Sequence, residues 1–144
     1  MRLTEQAAKF ETECTNCRRS CSAWAVQLIS EGKLGWELNW CCPGCGIEAD
    51  DISSGPAPEY IRRRLIEGHG TARIRVGAAG GFSGRVLKAF RDAFGGSIQE
   101  ARRAATELVT TGWRGTHVEV SLVAQLLHES GIETIDCGEE EHGG

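Results

Sequence analysis

With 144 residues, 40% of them apolar and 25% charged, the chain has ordinary globular composition and room for one domain or two small ones. Its formal net charge of −4 argues against a general nucleic-acid binder, which shows a basic face, and no apolar run approaches the roughly 18 residues of a membrane helix. The opening stretch MRLTEQAAKFETE lacks the apolar core of a secretory signal, so the expectation is a cytoplasmic protein whose seven cysteines, an odd number, are reduced thiols or metal ligands rather than disulfides.

Six of the cysteines lie between Cys14 and Cys45, in the clusters CTNCRRSC and CCPGC. Cys14 and Cys17 form one C-x2-C pair, and Cys42 and Cys45 form another. Such a turn aims two sulfurs at a common point, and two turns can supply the four thiolates of a tetrahedral structural zinc site. Between the pairs, AWAVQLI and LGWELNW alternate: Trp24, Val26 and Leu28 share one face, and Leu34, Trp36, Leu38 and Trp40 share another. SEGK separates them, with Gly32 free to take a positive φ. A hairpin closed there brings both cysteine pairs together. Its three tryptophans are read as the hairpin's own core.

This pattern, over roughly residues 12–50, resembles a zinc ribbon, a family of two C-x2-C knuckles joined by antiparallel strands. The resemblance implies one structural zinc ion held by Cys14, Cys17, Cys42 and Cys45. Cys42 fits the C-P-x-C-G knuckle, and Cys41 continues the strand and points elsewhere. Two alternatives stay open: Cys21 replaces a ligand, or it pairs with Cys41 across the hairpin. Four thiolates close the coordination sphere, so the metal is expected to be structural.

Ser53, Ser54, Gly55, Pro56 and Pro58 read as a linker. A short helix follows with Ile61 and Leu65 on its apolar stripe, Arg62, Arg63 and Arg64 on a solvated face, and Gly68 as its stop. TARIRV then alternates as a strand, with Ala72, Ile74 and Val76 inward. GAAGGFSG breaks it but is neither a dinucleotide fingerprint nor a phosphate-binding loop of the G-K-[ST] kind.

Three helices follow. The first carries Val86, Leu87, Phe90 and Phe94 and ends at Gly95 and Gly96. The second opens on a Ser97 and Glu100 capping box, carries Ile98, Ala101, Ala105, Leu108 and Val109, and ends at Gly112. The third opens on a Thr116 and Glu119 capping box, carries Val118, Leu122, Val123, Leu126 and Leu127, and ends at Gly131. GWRG leaves room for a very short strand, and IETIDC reads as the last one. Glu107, Glu119 and Glu129 are expected to be exposed. The fold class is α+β: a small zinc-ribbon β-hairpin module plus a β-α-α-β-α-β layer domain with three helices on a small sheet. The division is a ribbon-like module at 1–52, a linker and helix at 53–70, the layer domain at 71–137, and a disordered acidic tail at 138–144.

VLKAFRDAFGGSIQEARRAATELV and GTHVEVSLVAQLLHESGIETI resemble the C-terminal domain of the bacterial large-subunit ribosomal stalk protein, a fold shared with the ClpS proteolytic adaptors. The resemblance implies a helical hairpin that docks partner proteins, with Lys88, Arg91 and Arg102 on the docking surface. Ser83 and Gly84 depart from that family's pattern.

His69, His117, His128 and His142 are scattered, and none has a paired nucleophile in sequence, so the chain is not expected to be an enzyme. The terminal Gly143-Gly144 does not follow a β-grasp order of elements. The expected function is non-catalytic binding of another protein, basic by complementarity, as an adaptor or an immunity-type inhibitor. One rival is a translation-associated factor docking through Lys88, Arg91 and Arg102. The other is a nucleic-acid-binding ribbon using Arg18, Arg19 and the hairpin tryptophans.

Overall fold

The computed structural model describes residues 4–77 and 83–140. Most of the glycine-rich stretch, as well as His142, Gly143 and Gly144, lies outside the described residues. Four antiparallel strands come first: β1 (Glu5–Glu13), β2 (Ser20–Ser30), β3 (Lys33–Cys41) and β4 (Glu48–Ser54), paired in that order. Helix α1 (Glu59–His69) follows, then β5 (Thr71–Arg75), α2 (Gly84–Phe94), α3 (Ile98–Val109), β6 (Trp113–Gly115), α4 (His117–Glu129) and β7 (Ile135–Glu140). A second, three-stranded sheet is ordered β6-β5-β7. The architecture is α+β, as the patterning implies.

The hairpin expected between the cysteine pairs is β2 and β3, closed by a two-residue turn in which Glu31 and Gly32 both have positive φ, at 53° and 75°. That backbone matches the twist of the flanking strands. The ribbon is wider than expected. β1 and β4 flank the hairpin, and Ser53 and Ser54, read as linker, end β4.

The turn sets Ile29 opposite Leu34, so Ala25 faces Leu38 while Trp24 faces Asn39. The two apolar stripes therefore lie on opposite faces of the sheet. Trp36 and Trp40 are half-buried on the inner face, while Trp24 lies on the outer one and is 45% exposed. The tryptophans are thus not a common core.

On the inner face, Ile61 and Leu65 of α1 pack on Ala8, Ala25 and Ala57. Each such burial is worth about 2 kcal/mol. Gly68 does not stop α1. The helix runs on to His69 and ends at Gly70, whose φ is 74°. Gly68 instead lets the helix approach β1, because a Cβ there would lie 3.4 Å from the Ala8 Cβ.

The main core joins Ile74 of β5 and Val76, just beyond it, to Val86 and Phe90 of α2, Leu108 of α3 and Leu122 and Leu127 of α4, and it also takes Leu34 of β3. Phe90, Phe94 and Trp113 form an aromatic cluster with centroids 5.2 Å (Phe90–Trp113) and 5.4 Å (Phe94–Trp113) apart. Ile98, expected on the α3 stripe, is 41% exposed in the first turn of that helix. Ser97 caps α3 through the Glu100 N–H at 3.1 Å. Residues 138–140, expected to begin a disordered tail, belong to β7, where Glu140 pairs with Thr71 and Glu139 with Ala72.

The Thr116 and Glu119 capping box forms in full. Glu119, expected to be exposed, is 1% exposed, because α1 and β2 close over the N-terminus of α4. Its carboxylate accepts the Thr116 N–H at 3.0 Å, the Gln27 amide at 3.2 Å, and Arg62 Nε and Nη2 at 2.7 and 2.9 Å. Thr116 Oγ1 donates to Gln27 Oε1 and accepts the Glu119 N–H at 3.1 Å. Arg62, read as part of a solvated face, is thus the bidentate partner of a buried acid. Removing one member of a buried pair leaves the other charge unmatched. Glu119→Ala should therefore cost about 3 kcal/mol of unfolding free energy in urea, well beyond the loss of an ordinary helix cap.

Candidate metal centre

Pairing β2 with β3 sets the β1–β2 and β3–β4 turns side by side at one end of the sheet, and these turns carry the two C-x2-C pairs. They have the same construction. In the first, Arg18 N–H donates to Cys14 O at 2.9 Å and Cys14 N–H to Arg19 O at 2.8 Å. In the second, Gly46 N–H donates to Cys42 O at 2.7 Å and Cys42 N–H to Ile47 O at 2.9 Å. The residue after each second cysteine is left-handed: Arg18 at φ 62° and Gly46 at φ 75°.

The sulfurs of Cys14, Cys17, Cys42 and Cys45 all lie within 4.8 Å of one another, with Cys14–Cys45 at 3.8 Å and Cys17–Cys42 at 3.5 Å. With metal–sulfur bonds of about 2.3 Å, a tetrahedron has edges of about 3.8 Å, so the set fits one metal ion. Cys14 and Cys42 are buried, Cys17 is half-buried and Cys45 is exposed. This cluster is consistent with a zinc ribbon.

Backbone N–H groups already point at the sulfurs. The Cys17 N–H, ahead of the opposing effect of burial, and then the Asn16 N–H lower the Cys14 thiol from its ordinary value. The Asn16 side-chain amide, 3.6 Å away, and the Ile47 N–H bring Cys45 down to about 6. The Arg19 N–H pulls Cys17 down, but burial and the neighbouring sulfurs of Cys42, Cys45 and Cys14 outweigh it and push that thiol up to about 12. The sulfurs cannot all ionise together without a cation among them. Metal binding therefore releases protons, and affinity falls as the pH is lowered. The Arg19 side chain crosses to the second knuckle, where a Cβ on Gly44 would come within 2.9 Å of its Cδ. That places a cation beside a centre of four thiolates.

Both open alternatives resolve. Cys21 and Cys41 are free thiols, and Cys41 faces Ser22 in the ladder, so Cys21 points to the opposite side of the sheet and cannot pair with it. Cys21 is buried against Cys14 and Cys42 but stands outside the group of four. Burial raises its thiol, which suits a packing role.

Lys88, Arg91 and Arg102 are all exposed on α2 and α3, away from this centre. Lys88 pairs with Asp92 at 2.7 Å. Sequence reasoning missed the support given by Asn16 and Arg19, although Arg18 standing where the second knuckle has Gly46 marks the two turns as equivalent.

The fold and site define a small α+β protein with a candidate four-cysteine metal centre at the tips of two hairpins. Comparison with known proteins adds no relative: no family model, no curated protein and no solved structure matches this chain.

Serine at Cys14, Cys17, Cys42 or Cys45 should weaken metal retention more than about a hundredfold, whereas Cys21→Ser and Cys41→Ser should each keep one metal per chain after dialysis against a chelator. Gly46→Ala should cost about 1 kcal/mol of unfolding free energy in the metal-loaded protein, and Arg18→Gly should raise stability by up to the same amount, read from urea midpoints.

Proposed function

We propose that this protein is a non-catalytic, zinc-containing protein-interaction protein, an adaptor or an immunity-type inhibitor that binds a protein partner. Zinc is the metal that four thiolates in a closed tetrahedron suit, although the same donors also accept iron. With all four positions filled by sulfur, the ion has no site for water or substrate, so its role is to hold the two hairpin tips together. No helix among the described residues is long and apolar enough to cross a membrane.

The observation that carries the reading is the sheet that the centre holds. The middle of its inner face is covered by α1 and the main core, while its outer face keeps Trp24 and Ile52 exposed, at 45% and 70%. A partner that covers a large apolar residue at a sheet centre gains binding energy from it. The stalk-like resemblance supports a second reading, docking of translation factors through Lys88, Arg91 and Arg102.

Native mass spectrometry of the tagged protein purified from its own cells tests both. One zinc and one stoichiometric protein per chain is the expected result. Loss of that protein on Lys88→Glu, Arg91→Glu and Arg102→Glu, with ribosomal particles or a GTPase in the wild-type sample, would favour the second reading. A metal-free chain with oxidised cysteines would refute the zinc assignment.

A further inference from the structure

The outer face of the first sheet has a defined chemistry. Its central rows, read across the ladder, are Ala7–Val26–Glu37–Ile52, Lys9–Trp24–Asn39–Asp50 and Glu11–Ser22–Cys41–Glu48. Val26 is buried by its neighbours, and Trp24 and Ile52 stand out from it. In these rows four carboxylates, from Glu11, Glu37, Asp50 and Glu48, face the single cation of Lys9. Glu11 is occupied by the hydroxyls of Ser20 and Ser22, at 3.2 and 3.1 Å. Glu48 and Asp50 have no ion-pair partner among the described residues.

A groove of about 190 Å³ lies beside Trp24, its lining including Ser22, Asn39, Cys41, Glu48 and Asp50. An aromatic wall with two unmatched carboxylates is a receptor for a cation. The guanidinium group suits it better than an ammonium, since it stacks on an indole and offers paired N–H groups to carboxylates.

We propose that this groove receives an arginine side chain of a basic protein partner, with the guanidinium over the Trp24 indole and hydrogen-bonded to Glu48 and Asp50, and with the partner's apolar residues against Ile52. The proposal deepens the protein-interaction reading and rests on it. Charge selects the occupant. The phosphates of nucleic acid or of an anionic lipid surface are repelled by this face, and two copies of it would repel each other. Of the zinc-ribbon tryptophans, Trp24 is thus the one placed for recognition, and its ligand is a cation rather than a base.

The test is titration of the metal-loaded full chain with a tetra-arginine peptide, followed in ¹H–¹⁵N spectra in which each of the four tryptophans gives an indole signal. Saturable shifts confined to the Trp24 indole and the amides of Asn39, Cys41 and Asp50 are expected. Trp24→Ser and the double variant Glu48→Gln, Asp50→Asn should each weaken binding about fivefold or more while the metal-loaded fold is retained. Shifts spread over all acidic residues alike, or variants within twofold of wild type, would overturn the proposal. So would tighter binding of a single-stranded RNA or an anionic vesicle at Trp24, or shifts of Trp24 on dilution that mark self-association. A cellular partner retained undiminished by the Trp24→Ser protein would remove this surface and leave the protein-interaction reading standing. Tetra-arginine binding at Trp24 by a chain that captures no protein would do the reverse.

Discussion

The joint between the first sheet and the second half of the chain turns on one buried carboxylate, that of Glu119. Glu119 belongs to α4 by sequence, but two of its four hydrogen bonds come from Arg62 of α1 and one from Gln27 of β2. A carboxylate offers roughly four acceptor positions, and here all are used, which is the condition under which a charge tolerates burial. The contact fixes where the second half of the chain sits on the first sheet, since a slip of one residue in β2 would turn Gln27 to the other face and leave the acid short of a donor. The apolar packing around it, Ile61 and Leu65 on one side and Leu34 on the other, is less exacting about position.

With that side of the sheet occupied, its chemistry divides cleanly. The covered face holds the sheet to the helices. The open face carries the acidic rows and Trp24. The knuckles stand at the end of the sheet and serve both faces, since they fix the order of the four strands by joining β1 to β2 and β3 to β4. Metal, polar lock and open face are therefore three uses of a single meander.

Much of this was legible in sequence, and the limits have physical reasons. The four cysteines were readable because thiolate geometry dictates their spacing, whatever the surrounding fold. The helices α2 to α4 were readable from their apolar period and their glycine ends. Strands β1 and β4 were not, because EQAAKFETE and EADDISS are polar segments held by ladder hydrogen bonds to β2 and β3, and the only apolar residues they turn inward are Ala8, Phe10 and Ala49, among Gln6, Thr12, Asp51 and Ser53. The burial of Glu119 was hidden because a capping box reads the same on an exposed helix as on a covered one, and its other partners lie 57 and 92 positions away. The helix stop was misplaced by two residues because a glycine that permits close packing and a glycine that ends a helix are the same letter, and only φ separates Gly68 from Gly70.

The placement of both knuckles at one end also has a mechanical side. The strand β1 enters at Glu5, beside Leu28, far from the knuckles, and reaches Cys14 only at its other end. A pull on that leading segment loads the ladder one rung at a time, from Glu5 towards Glu13, as a zip opens. The load then arrives at sulfurs that, once metal-bound, tie β1 directly to the β3–β4 turn. The nine paired residues of β1, with Ala8 held under α1, would part before the metal-bound sulfurs come under load. An unfolding machine that grips the chain from this side would meet its resistance as a single late step at the metal.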